Sequence, residues 1–310
     1  MSSFKDLADV TVREEKTVQK SDLNKILDIE KEMIDKYSAN GRLRIDYDLQ
    51  HELYQVFKKE VQEKIRDITP TIELLQEYIT SRENSEKTDE SLLRGMYSAV
   101  LLETVCAYTQ IKSIIFDGKG REWNYLFYHV QNANNISVQH FNGEWILAFA
   151  GFDKGKIRNL SCSNIQGSDT LAGAGANGGS IEHVICSKIK GSNTLYDAGA
   201  HGSIKYATIN EIEGHSTLGY IGNNGGNASH ITCTNMSQWS GLLEGVDIRS
   251  NLILEDDSFE KNRLLNTHQK EIINKITQIV ETIHTLSLEE QKKAHDEIAR
   301  LQTEIFAGET

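Results

Sequence analysis

Cysteine and proline are both scarce in this chain, and long apolar runs and basic excess are missing altogether. The four cysteines, Cys106, Cys162, Cys186 and Cys233, include no close-spaced pair, so they make neither a zinc motif nor a disulfide framework. Unpaired cysteines fit a reducing compartment. Pro70 is the only proline in 310 residues, so a proline stop occurs at one place only. No apolar run approaches the roughly 18 residues of a membrane-spanning helix, which argues against membrane insertion. Lysine plus arginine number 33 against 45 aspartate plus glutamate, a net charge of -12. With no basic stripe to release counterions from phosphates, nucleic acid is excluded as a partner, and an anionic membrane surface is equally unfavoured. The first ten residues carry acids where a signal peptide would have its apolar core. A cytoplasmic location is expected, with a virion or specialised export as alternatives.

What the chain does have is a repeat. Gly155-Lys-Ile-Arg-Asn-Leu-Ser-Cys-Ser-Asn-Ile-Gln-Gly167, Gly179-Ser-Ile-Glu-His-Val-Ile-Cys-Ser-Lys-Ile-Lys-Gly191 and Gly202-Ser-Ile-Lys-Tyr-Ala-Thr-Ile-Asn-Glu-Ile-Glu-Gly214 are one unit written three times, and it extends over about 131 to 245. Equivalent positions such as Leu171, Leu195, Leu218 and Leu242 fall 24, 23 and 24 residues apart. A fixed period of this length is the mark of a solenoid. Within each unit an apolar pair two residues apart (Leu160/Cys162, Val184/Cys186, Ala207/Ile209, Ile231/Cys233) places both members on one side of a strand. These pairs are expected to face inward, with the cysteines as small core hydrophobes. Three glycine columns are expected at corners, where positive φ or close approach of coils excludes a side chain. The predicted coil is strand, corner, strand, corner, stacked in parallel.

Helical periods flank the repeat. Residues 1–20 read as a flexible arm and 21–109 as a helical domain, with Ser21 as a first N-cap, Thr69 capping a helix that starts at Pro70, and a strongly apolar helix from Leu92 to Tyr108. That helix and the aromatic-rich degenerate coil Ile111 to Val130 are expected to cover the open end of the solenoid, assigned to 110–250. Beyond 251 a seam of Ile272, Ile276, Ile279, Ile283 and Leu286 suits a coiled coil, and Ser287 with Glu290 forms a capping box that opens a further helix. An antiparallel hairpin or one long broken helix fits 251–310. The seam is covered either by the second helix or by another chain, and it is taken as an oligomer interface. The fold class is therefore α+β, a central parallel β-solenoid of four to five coils between helical ends.

Motifs for chemistry are few. Gly173-Ala-Gly175-Ala-Asn-Gly178 mimics a dinucleotide fingerprint but has no helix after it, so it is a coil corner, and no cofactor is implied. His183, Tyr206 and His230 share an outward column, but two histidines two coils apart stand about 9.6 Å from each other, too far for one zinc. No metal is expected. The column Phe149, Gly173, Asp197, Tyr220, Glu244 sets two acids about 9.6 Å apart, near the upper limit of the roughly 6.5 to 9.5 Å used by inverting glycosidases. Asp197, Tyr220 and Glu244 are thus the catalytic candidates if the protein is carbohydrate-active or carbohydrate-binding. A threonine column (Thr170, Thr194, Thr217) reads as a hydrogen-bonded ladder. The favoured reading is a non-enzymatic structural or scaffold protein, a homo-oligomer that self-assembles or meets a protein partner through its helical ends.

Overall fold

The computed structural model describes residues 5–38, 47–82, 87–109, 113–236, 251–255 and 267–307. Helices α1 (Lys5–Ser38), α2 (Tyr47–Lys64), α3 (Ile72–Ser81) and α4 (Thr88–Thr109) precede the strands β1 (Ser113–Glu122), β2 (Asn132–Asn142), β3 (Lys156–Gln166), β4 (Ser180–Lys190), β5 (Ser203–Glu213), β6 (Asn227–Thr234) and β7 (Asn251–Glu255). Helix α5 (Thr267–Thr282), a 3-10 turn at Ile283–Thr285 and α6 (Leu288–Ala307) follow. All seven strands pair in parallel in chain order, giving a β-solenoid of about five coils between helices. Lys156 pairs with Ser180, Ser180 with Ser203 and Ser203 with Asn227, which is the period of the repeat. The inward pairs are sealed: Leu160, Cys162, Val184, Cys186, Ala207, Ile209, Ile231 and Cys233 are each at most 1 % exposed.

The coil itself differs from the expected alternation of two strands and two corners. Each coil has one strand, bent where Asn164, Lys188 or Glu211 turns left-handed, and the return path is an arc of overlapping turns. In the β3–β4 arc, Ala172 N–H donates to Asp169 O, Ala174 to Leu171 and Ala176 to Gly173. The third residue of each turn has positive φ (Leu171 60°, Gly173 65°, Gly175 66°), the geometry of type II turns. Left-handed residues then donate to alternate neighbours: Leu171 N–H to Ile146 O at 3.0 Å in one coil, Gly173 N–H to Tyr196 O at 2.7 Å in the other. A left-handed leucine costs about 1–2 kcal/mol. Its inter-coil hydrogen bond and complete burial offset that cost.

Glycine serves two distinct purposes here. Gly175 is left-handed, whereas Gly191 is not; a Cβ at Gly191 would lie 2.1 Å from Gly167 O. Of the two reasons expected for a corner glycine, the one that holds at Gly191 is close approach, to the backbone of the preceding coil. The threonine column is corrected as well. Thr170, Thr194 and Thr217 are buried beneath the arc, and the Oγ1 atoms of Thr194 and Thr217 meet no hydrogen-bond partner among the described residues.

The N-terminal helices form one apolar core with the solenoid. Residues from Lys5 onward are helical, and α1 passes through Ser21 without starting there. Thr71, not Thr69, caps α3 by accepting from Leu74 N–H at 3.1 Å, with Leu74, Leu75, Tyr78 and Ile79 buried as expected. Leu49, Val56 and Tyr108 are 40 %, 59 % and 64 % exposed. Helix α4 covers the solenoid end. In the first coil Phe127 N–H donates to Ser98 Oγ at 2.9 Å and Gln131 N–H to Glu103 Oε1 at 2.5 Å, where later coils use a neighbouring backbone carbonyl. Glu103 also accepts from Tyr54 Oη at 3.1 Å and pairs with Lys58.

Candidate functional site

Two surfaces bear on function: the outer side of the turn arc, and the sheet face beneath the C-terminal hairpin. The arc carries the proposed acid column. Asp197 and Tyr220 occupy successive coils as expected, tied by the bond from Asp197 N–H to Gly219 O at 2.8 Å, and both are half-buried and left-handed. Burial raises the Asp197 carboxyl above the ordinary carboxylate range. Glu244 lies outside the described residues. Asp169, on the same arc, accepts from Asn193 Nδ2 at 3.0 Å.

Aromatic rings pave the same side. Tyr125 and Trp145 are parallel at 6.1 Å, and Trp145 and Phe149 at 6.5 Å. Phe149 lies across Gly173, where an added Cβ would sit 2.6 Å from its ring, and Tyr196 lies across Gly219 and against Tyr220 at 5.4 Å. The two glycines leave room for those rings.

The second surface was not anticipated. Ser161, Ile185, Thr208 and Thr232 alternate with the inward pairs and should meet solvent, yet each is at most 5 % exposed. The α5–α6 hairpin lies over them. Ile185 joins one apolar cluster with Ile272, Ile273, Ile276, Val280, Ile283, Ile298 and Leu301. The seam is therefore covered within the chain, by α6 and by the sheet: Ile272, Ile276 and Ile283 are 1 %, 0 % and 2 % exposed, and Ile279 and Leu286 pack against them. Gln302, fully buried, donates to Ala207 O at 3.0 Å and to Thr232 Oγ1 at 3.1 Å. His295 Nε2 meets Ser161 Oγ at 2.8 Å, and its ring stacks on His183 at 6.0 Å. The capping box forms as expected, Glu290 Oε2 accepting from Ser287 N–H at 2.9 Å. The sequence signal for this docking was Ile185, one apolar side chain in a polar outward column.

Beside the hairpin an open groove of about 520 Å³ runs past Glu182, His183, Lys205, Tyr206, Asp296 and Arg300. Its charges are mixed. Among the described residues no cluster of three histidine, cysteine or acidic side chains could hold a metal, and no helix is long and apolar enough to cross a membrane. Neither a protein-family model, nor a curated protein, nor a solved structure matches the chain.

Proposed function

We propose that the protein is a non-enzymatic structural scaffold, a short solenoid rod that associates with further copies of itself through its helical regions. The observation that supports this reading is internal bracing: α4 completes the hydrogen bonds of the first coil, and the hairpin is bolted to β3, β5 and β6 through His295 and Gln302. Such ties hold a rod of fixed shape. The C-terminal seam is occupied within the chain, so the reading moves the contact between copies to α2, where Leu49 and Val56 stand two turns apart on one helix face. Light scattering on the wild type and on Leu49→Asp with Val56→Asp is the test. The expected result is an oligomer that the double variant reduces to a monomer and that strengthens with salt, because salt screens the repulsion of net acidic chains. A monomeric wild type at high concentration would sink the reading.

The paved arc favours a second reading, a carbohydrate-binding face on which sugar rings stack on Trp145 and Tyr196 beside Asp197 and Tyr220. A glycan panel read through tryptophan fluorescence tests it. Binding or turnover lost in Asp197→Asn with Glu244→Gln would reverse the ranking.

A further inference from the structure

The contacts between hairpin and solenoid include two facing pairs of histidines. On α6, His295 is 4 % exposed and stacks on His183 of β4, itself 5 % exposed, with the planes 18° apart. In the 3-10 turn at the other end of α5, His284 meets His140 of β2 edge-on at 6.3 Å. The Nδ1 atoms of His183 and His295 are buried and meet no hydrogen-bond partner among the described residues. A neutral imidazole tolerates such a site, whereas an imidazolium would bury an unsolvated charge against a second one.

We propose that the α5–α6 hairpin is an acid-released strap, held on the solenoid only while His183, His295 and His284 are uncharged. The proposal is independent of the scaffold reading.

The charged neighbours do not undo this. Around His183 and His295 stand Glu182 on β4, Arg158 on β3, Lys205 and Tyr206 on β5, and Asp296 on α6. Glu182 Oε1 is 3.9 Å from His183 Nε2, but Arg158 lies 3.6 Å from Glu182 and 3.9 Å from Asp296, and Lys205 opposes the two acids as well. Burial, then the neighbouring His183, hold His295 down to about 3 from its ordinary 6.5. Burial likewise lowers His183 and His284, the latter with Lys188 and His140 adding to the effect. At the second contact Asp117 Oδ1 faces His140 Nδ1 at 3.0 Å, so the carboxylate sits on the solenoid side, while His284 faces Lys188. Since His183, His284 and His295 bind protons less readily when docked than when released, docking is full above the ordinary histidine value and weakens as pH falls below it.

Hydrogen exchange by mass spectrometry on the full chain, corrected for intrinsic rates, reads this directly. For His295 alone, a docked value near 3 against 6.5 when released lowers the docking constant about thirtyfold at pH ~5 relative to pH ~7.5. Peptides of α6 should lose protection by at least that factor, while β3 to β5 keep theirs. His295→Gln with His284→Gln should reduce the dependence by the roughly thirtyfold due to His295. If that variant already exchanges fast at neutral pH, His183→Gln with His284→Gln, which leaves the Ser161–His295 bond in place, should lose the contributions of His183 and His284 and keep at most the roughly thirtyfold due to His295. Unchanged α6 protection in acid, equal loss in the strands, or the same pH dependence in the glutamine variants would each overturn the proposal.

Discussion

Replacing Gly191 by alanine separates two reasons for a glycine at a coil corner. The φ of Gly191 is outside the left-handed range, so a methyl group there meets no backbone strain of its own. It would instead stand 2.1 Å from Gly167 O and 2.4 Å from Gly167 C, both backbone atoms that cannot rotate away. Relief requires the two coils to part by more than an ångström at this corner. Two inter-coil bonds cross the gap, Gly167 N–H to Lys190 O and Asp169 N–H to Ser192 O, each 2.8 Å. Losing such bonds costs about 0.5–1.5 kcal/mol each and overpacking about 1–3 kcal/mol, so Gly191→Ala should cost about 2–5 kcal/mol. Gly225 provides the converse, with φ at +83° and nothing within 4 Å of an added Cβ. Gly225→Ala pays only for the left-handed backbone, about 1–2 kcal/mol. In thermal denaturation followed by circular dichroism the expected losses are about 5 °C and about 2 °C. If Gly225→Ala proves the more damaging, or both melt like wild type, close coil approach is not what the corner glycines serve.

Other perturbations follow the same logic. His129 is fully buried, stacks on Phe149 at 4.9 Å, and leaves both ring nitrogens without a hydrogen-bond partner among the described residues; burial, then His51, hold it well below the ordinary histidine value. His129→Phe, which copies Phe149 one coil on, should match or exceed wild-type stability at neutral pH and flatten the loss of stability that otherwise sets in as pH falls below ~6.5, measured by denaturant titration. Glu103→Ala leaves Lys58 with Gln131 Oε1 in place of a carboxylate and leaves Gln131 N–H and Tyr54 Oη without Glu103 as acceptor, so unfolding should come about 2–4 kcal/mol more easily, and an unchanged midpoint would remove α4 as the cap. Thiol labelling of the native protein should be slow at Cys162, Cys186 and Cys233, whose thiols burial pushes up, and Cys106, pushed up only to about 11 and partly exposed, should react first.

The strand half of each coil was legible because period-two alternation and the 23 to 24 residue step both survive in the letters. Leu160, Cys162, Val184 and Cys186 announce the inner face with no knowledge of their neighbours. The arc was not legible. Leu171, Leu195 and Leu218 adopt φ near +60°, which no local preference of leucine favours. Only the inter-coil hydrogen bonds and the buried leucine column make that backbone acceptable, and these are tertiary facts. For the same reason Asp197 and Tyr220 were placed in one column correctly, whereas their backbone was taken for an ordinary strand. In α2 Leu49 and Val56 fall at the same spacings of three and four as the buried Phe57 and Val61 yet stand exposed, so spacing alone does not separate the two faces.

The hairpin resolves a tension already present in the topology. Parallel sheets are stable when both faces are covered, and a solenoid interior covers only one. In β4 the burial runs unbroken from His183 to Ser187, the pattern of a strand enclosed on both sides. Its outward residues are nevertheless mostly hydroxyl-bearing, since Ser161, Thr208 and Thr232 accompany the single Ile185. A wholly aliphatic outer column would bind any apolar helix. The mixed column instead requires a partner that brings Ile276 and Leu301 to the isoleucine together with Gln302 and His295 to the hydroxyls. That combination fixes where α6 sits along the sheet through directional hydrogen bonds, and it explains why an isoleucine-rich seam is found folded onto its own solenoid.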